Sequence, residues 1–269
     1  MVAMSSKSLD LEQIQDADGV DAALRDLYGR NSAEVPLGTG VLHVTSVWRK
    51  DLDTHLTIRI GPHAPPSPLD FFSLNLTRAR ADAIVTTGRI LRQEPELSHR
   101  LQGPAAAGLE AWRRERLHKT RPPISLVLTS GRGLDFSHPL FQGPGRVLIY
   151  TDTEGAWELE SRAADVGAEV VADPSPSPRG AVDVLRRQLG CATISIEAGP
   201  SVARQYYEPP VQVDELLLSV YTAPDLPPQA RGTRQPPAAE LERLLQHQAG
   251  PYVDAAEPDW EFHRYLRPL

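Results

Sequence analysis

Cysteine is almost missing from this 269-residue chain; Cys191 stands alone. One thiol closes no internal disulfide and builds no multi-cysteine zinc site, so disulfide-stapled and zinc-ribbon scaffolds are excluded. Long apolar runs are missing too. No stretch approaches the roughly 18 uninterrupted apolar residues of a membrane-spanning helix. The opening Met-Val-Ala-Met-Ser-Ser-Lys runs into acidic residues rather than into the apolar core of a secretory signal. Positive charge is the minority sign, with 28 Lys and Arg against 35 Asp and Glu and a formal net charge of −7. Such a balance, without a basic run, is unsuited to sequence-independent nucleic-acid binding. A cytoplasmic protein with neither nucleic-acid nor membrane partners is expected. Several catalytic signatures are absent as well: the Gly-x-Ser-x-Gly elbow, the Walker loop, His-Glu-x-x-His, and the Pro-Cys-x-x-Cys of base deaminases. The eight histidines are scattered without metal-ligand spacing, so no metal site is expected.

What is present is a globular composition, 41% apolar, with an excess of proline. The 25 prolines in 269 residues are roughly twice the usual share. They concentrate in segments that read as loops, at 62–68, 122–123, 174–178, 209–210 and 224–237, where they stiffen connections. Residues 1–35 read as a polar N-terminal extension. Within it Val20, Ala23, Leu24 and Leu27 fall at helical spacing behind a candidate cap at Asp18, predicting a surface-packed helix over 18–28. Beyond it, residues 36–269 read as one domain without an internal repeat. Short apolar strands at 41–48, 55–60, 82–88, 124–129, 147–151, 168–172, 193–197, 215–221 and 260–266 are interspersed with helices at 69–80, 105–118, 157–166, 180–188 and 199–207. Alternation of this kind predicts an α/β fold with a mostly parallel central sheet. The last strands lack intervening long helices, which predicts an antiparallel edge.

Three strand-to-loop junctions carry candidate chemistry. In Ile194-Ser195-Ile196-Glu197-Ala198-Gly199-Pro200-Ser201 a buried strand meets Gly, then Pro at a helix start, where the missing N–H costs nothing. The following helix N-terminus offers N–H groups and positive partial charge to a cofactor pyrophosphate, and Gly199 lets a phosphate come close. The physics alone is equally served by a plain strand–helix turn. Leu128-Thr129-Ser130-Gly131-Arg132 and Tyr150-Thr151-Asp152 are the other two; Arg132 is a candidate for a ribose phosphate, and plain surface turns are again the alternative. Parallel strands put all three on one rim, where ligands bind in open α/β sheets.

Taken together, the order of blocks resembles the reductase domain of the riboflavin-biosynthesis deaminase/reductase family. Arg78-Ala79-Arg80-Ala81-Asp82-Ala83-Ile84-Val85, Pro95-Glu96-Leu97, Leu126-Val127-Leu128-Thr129-Ser130, Ile196-Glu197-Ala198-Gly199-Pro200, and Val213-Asp214-Glu215-Leu216 with Tyr221-Thr222-Ala223-Pro224 carry the resemblance over about residues 40–266. The resemblance implies a dihydrofolate-reductase-like fold, helices on both faces of the sheet, a homodimer and NADPH as cofactor. It implies reduction of the ribosyl group of a ribosylaminopyrimidine phosphate, a small phosphorylated heterocycle. Carried over residue by residue, it implies Glu197 and Glu94 as catalytic. Thr87, Gly88, Thr129, Ser130, Arg132, Thr151, Gly199, Pro200 and Ser201 would face the cofactor, and Asp53, Leu97 and Arg100 the substrate.

The chain departs from the family pattern in three places. Val47 stands where the first strand carries a Lys, Arg89 where a cofactor-binding Thr is expected, and Gln93 at the position of the key Asp, with Glu94 beside it. A Gln cannot deliver a proton. The alternatives are a divergent member acting on another substrate and a non-catalytic dimeric homologue that binds a nucleotide.

Overall fold

The computed structural model describes residues 8–29, 40–51, 54–235 and 238–268. A single eleven-stranded sheet runs through it. Its strands are β1 (Gly40–Asp51), β2 (Thr54–Ile58), β3 (Ala83–Thr87), β4 (Ile124–Leu128), β5 (Val147–Thr151), β6 (Glu169–Ala172), β7 (Thr193–Ile196), β8 (Val213–Tyr221), β9 (Arg231–Gln235), β10 (Gln246–Tyr252) and β11 (Trp260–Leu266). The order is β10-β11-β8-β1-β7-β3-β4-β5-β6, and β2 pairs with the second half of β1 and with β9. From β8 to β6 every neighbour is parallel; β11 and β10 close one edge antiparallel. This is the mostly parallel sheet with an antiparallel edge that the sequence predicts.

The helices are α1 (Ala17–Tyr28), α2 (Pro68–Arg80), α3 (Gly88–Gln93), α4 (Ala106–Glu115), α5 (Thr153–Asp165), α6 (Pro178–Arg187), α7 (Pro200–Ala203) and α8 (Ala238–Leu244). They cover both faces, which is why the parallel strands read as continuous apolar runs. Within each strand, alternate residues part between the two layers. Ala83, Val85, Leu126, Leu148 and Tyr150 pack against Ala181, Val182 and Leu185 of α6. On the other face Val127 and Ile149 meet Leu159 and Ala163 of α5.

The N-terminal helix is more deeply engaged than a surface appendage. Val20, Ala23, Leu24 and Leu27 are buried with Leu69 and Phe72 of α2, Trp112 of α4 and Trp260 of β11. Burying each large apolar side chain contributes about 1.5–3 kcal/mol, so α1 belongs to the core of this layer. Its cap is Asp16, which accepts from Gly19 N at 2.8 Å, not Asp18. Helix α5 starts four residues earlier than its apolar spacing suggests, because Asp152 caps it through Gly155 N. The helix expected over 199–207 is the single turn α7 followed by a 3-10 turn at Arg204–Tyr206. The proline-rich stretch 224–237, expected as a loop, contains β9. That strand reads Arg-Gly-Thr-Arg-Gln and lies half-exposed at an edge, so it has no apolar signature.

Candidate active site

The chain leaves β3 toward β4, β5 and β6, then returns through β7 to the other side of β3. Connections therefore diverge between β3 and β7, and the crevice beyond their carboxyl ends is where such sheets take ligands. Thr87 and Gly88 sit at the end of β3, and Glu197 to Ser201 follow β7.

Around this crevice the rim is tightly built. Thr87 caps α3 by accepting from Ile90 N at 3.2 Å. Gly88 lies against the end of β4; a Cβ there would stand 2.7 Å from Thr129 Oγ1. Thr129 Oγ1 accepts from Gly131 N at 3.1 Å, and Gly131 (φ 82°) turns the chain through the left-handed region. Arg92 of α3 donates to the carbonyl of Arg132 at 3.1 Å, tying helix to loop. Gly199 differs from Gly88: a Cβ on it would meet only Ile90 Cδ1, at 3.9 Å. The space before it is open, and no side chain caps α7.

Of the expected cofactor residues, Thr87, Gly88, Thr129, Ser130, Arg132, Gly199, Pro200 and Ser201 come together on this edge, with Ser130, Arg132 and Ser201 exposed. Thr151 lies beneath it: its side chain is fully buried, and a Cβ on Gly155 would collide with its hydroxyl. Gly199 offers open space and Arg132 an exposed guanidinium on this edge. Asp152 and Thr87 already occupy donors of the two neighbouring helix starts.

Beside the crevice is a buried charge cluster. Arg78, from the last turns of α2, holds Glu197 at two points: Nε donates to Oε1 at 2.8 Å and Nη2 to Oε2 at 2.7 Å. Their side chains are 3% and 7% exposed. Burial pushes the Glu197 carboxyl up, but the charge and hydrogen bonds of Arg78, with a smaller push from His99, hold it below the usual glutamate value. Glu94, at the end of α3, goes the other way. Burial raises it first, and the negative charge of Glu197 raises it further. Gln93, by contrast, is exposed. Two carboxyls with opposite tendencies in one site provide an acid and an ionised partner.

His99 completes the cluster. Its Nδ1 lies 2.7 Å from Ser125 Oγ, and Nε2 stands 4.0 Å from Glu197 Oε2 with no hydrogen-bond partner among the described residues. Burial lowers its pKa to about 4, so the ring is neutral at physiological pH. Arg100 is exposed and lines a cavity with Arg78 and His99; its carbonyl accepts from Arg78 Nη1 at 3.5 Å. Leu97 packs beside the apolar cluster of Leu91, Phe136 and Leu159, and its N–H donates to the carbonyl of Glu94 at 3.0 Å. Asp53 lies outside the described residues. Val47 is buried in the core with Leu216 and Leu218.

Sequence reasoning overlooked Arg78, His99 and Ser125 as site residues. The readable signal is polar residues on one face of central strands, with Ser195 and Glu197 alternating against Ile194 and Ile196, Ser125 on β4 and Thr86 on β3.

No protein-family model matches the chain, and no curated protein sequence does. Solved structures resemble it. A pyrimidine reductase-like protein from Corynebacterium diphtheriae has a TM-score of 0.63 at 21% identity, covering 91% of this chain and 98% of that one. RibD from Acinetobacter baumannii has a TM-score of 0.60 at 13% identity, covering 92% of this chain and 63% of that protein. The chain thus spans less than two thirds of the length of that RibD. The riboflavin biosynthesis reductase Rib7 of Saccharomyces cerevisiae has a TM-score of 0.55 at 11% identity, covering 93% and 99%. At these identities the likeness establishes the fold alone, a mixed α/β sheet that is mostly parallel with an antiparallel edge. It agrees with the resemblance read from the sequence.

Proposed function

We propose that the chain is an NADPH-dependent reductase acting on a ribosylaminopyrimidine phosphate or a close phosphorylated relative. The observation that supports this reading most directly is the pair of carboxyls at the β3/β7 crevice, Glu197 kept ionised by Arg78 and Glu94 kept protonated to higher pH than an ordinary glutamate. The nicotinamide, when bound, supplies a hydride. The chain's own residues supply position and a proton. Gly199, Ser201 and Arg132 hold phosphate, with Gly88 and Thr129 shaping the floor. Glu197 keeps spare lone pairs beyond the two bonds to Arg78, and these orient an N–H or O–H of the substrate. Glu94 is the proton donor, taking the part that Gln93 cannot play. Arg100 is the substrate-phosphate residue, and the protein works as a cytoplasmic homodimer.

Titrating NADPH and following its fluorescence tests the cofactor reading; absence of binding at millimolar cofactor overturns it. Oxidation of NADPH with the ribosylaminopyrimidine phosphate, and complementation of a riboflavin auxotroph, test the substrate. The buried Val47, in place of a Lys, favours one second reading, a nucleotide-binding homologue without turnover. Tight NADPH binding with no oxidation across a panel of carbonyl and imine substrates selects it. A light-scattering mass of one chain refutes the dimer.

A further inference from the structure

One cavity lies behind the Glu197 cluster and shares Arg78 and His99 with it. With a volume of about 440 Å³, it opens between α4 and the loops that enter β4 and β5, lined by Pro122, Pro123 and Gly145. It therefore sits at the amino-terminal ends of these strands, whereas the candidate cofactor residues follow their carboxyl ends. Its volume is within the range of small-molecule sites.

Its charge is opposite to that of the chain. Arg78, Arg100, Arg113, Arg114, Lys119 and Arg121 line it, against one carboxylate, Glu110. Three of the cations have acidic partners: Glu197 for Arg78, Asp82 for Lys119 and Glu115 for Arg114. The other three, Arg100, Arg113 and Arg121, make no ion pair among the described residues of a protein whose net charge is −7. Arg113 is buried and spends its donors on the carbonyls of Ala79, Ala81 and Arg121, which leaves its charge unneutralised while fixing the wall. Arg100 and Arg121 are exposed, and their side chains make no hydrogen bond or ion pair among the described residues. Ser98 and Thr120 add hydroxyls, and His99, with its unpartnered buried Nε2, forms part of the lining. Clustered cations around a concave surface raise the local concentration of anions, and free guanidinium forks bind phosphoryl oxygens in pairs.

We propose that this cavity is a binding site for a small polyanion, a metabolite bearing a pyrophosphate or two phosphates, held by Arg100 and Arg121 and distinct from the cofactor rim. The site shares Arg100 with the substrate-phosphate role proposed above and rests on that reading to this extent; its test, which uses neither nicotinamide nor turnover, keeps the two failures apart. Isothermal titration of the whole chain with inorganic pyrophosphate, and separately with inorganic phosphate, at about 50 mM and about 200 mM salt reads it directly. Pyrophosphate is expected to bind more tightly than phosphate and to weaken with salt. Arg121→Ala is expected to lose ~10-fold or more in affinity, the size of one charge-assisted contact. Arg114→Ala, an exposed change in the same wall, is expected to weaken binding less, and Arg132→Ala on the rim to leave it unchanged. No heat with either anion, or equal affinity in Arg121→Ala and the parent chain, overturns the proposal. So does loss of binding in Arg132→Ala, which would move the anion to the rim. Thermal unfolding of each variant separates loss of the site from loss of the fold.

Discussion

Arg78 and Arg80 leave the same helix two residues apart, and each grips a buried glutamate with two hydrogen bonds. Two residues along a helix face different directions, and the surroundings of the two pairs differ accordingly. Arg80 points into the packing between α2, β8 and β11. There Glu215 accepts from Arg80 at 2.9 and 2.6 Å and from Arg264 Nε at 2.8 Å. Burial pushes Glu215 up, but Arg80 and then Arg264 pull it down further, to about 2. Arg78 points toward the crevice, where Glu197 has one arginine instead of two, a neutral histidine beside it, and a second carboxyl within electrostatic reach. The first cluster is saturated with cations and closed; the second is short of them and borders a cavity. The same pair of residue types therefore sits sealed in packing in one place and at the edge of the proposed site in the other, according to what surrounds it.

The largest expected effect breaks the closed cluster. Glu215→Gln leaves two buried guanidinium groups without a counter-charge and is expected to destabilise the fold by about 3–5 kcal/mol, read from the urea midpoint. Removing Arg264 as well should recover part of that loss. The pH dependence follows with a definite sign. Glu215 is depressed in the folded state, so its contribution is present above the ordinary glutamate value of 4.5 and is lost as pH falls through about 2. The parent chain should weaken across that window, and Glu215→Gln should lose most of this slope.

The open cluster is expected to respond in rate rather than in stability. Glu94→Gln should lower reductase turnover by ~10²–10⁴-fold with an unchanged urea midpoint and unchanged NADPH affinity. Because Glu94 acts protonated, activity of the parent chain should fall as pH rises through its elevated value. A variant with the same profile as the parent removes Glu94 from the mechanism.

Smaller changes contrast the two rim glycines. Gly88→Ala forces a Cβ against Thr129 and is expected to cost about 1–3 kcal/mol of stability. Gly199→Ala meets open space and is expected to stay within about 0.5 kcal/mol of the parent while weakening NADPH binding. Equal loss of stability in both would contradict the open face assigned to Gly199.

Much of this was legible along the chain, and particular elements show where legibility stops. Buried parallel strands such as Ala83–Thr87 and Val147–Thr151 advertise themselves by apolar content, because helices cover both of their faces. Edge strands β9 and β10 do not, since half of their surface meets water and a polar sequence suffices there. The Glu197–Pro200 turn stood out by its residue types, whereas Glu94 beside Gln93 stood out only through the family resemblance. His99 and Ser125 did not, because they are 26 residues apart and nothing local joins them.

The sequence by itself determined the fold class, the order of the buried strands, and that the turns after β4, β5 and β7 share one rim. These follow from local periodicity and turn chemistry, which are properties of neighbouring residues. Only the tertiary structure decided which arginine serves which glutamate, that Glu94 and Glu197 are shifted in opposite directions, and that the cations of α4 enclose a cavity behind β4. Those outcomes depend on desolvation and on charges brought together from distant parts of the chain, and neither exists until the layers pack.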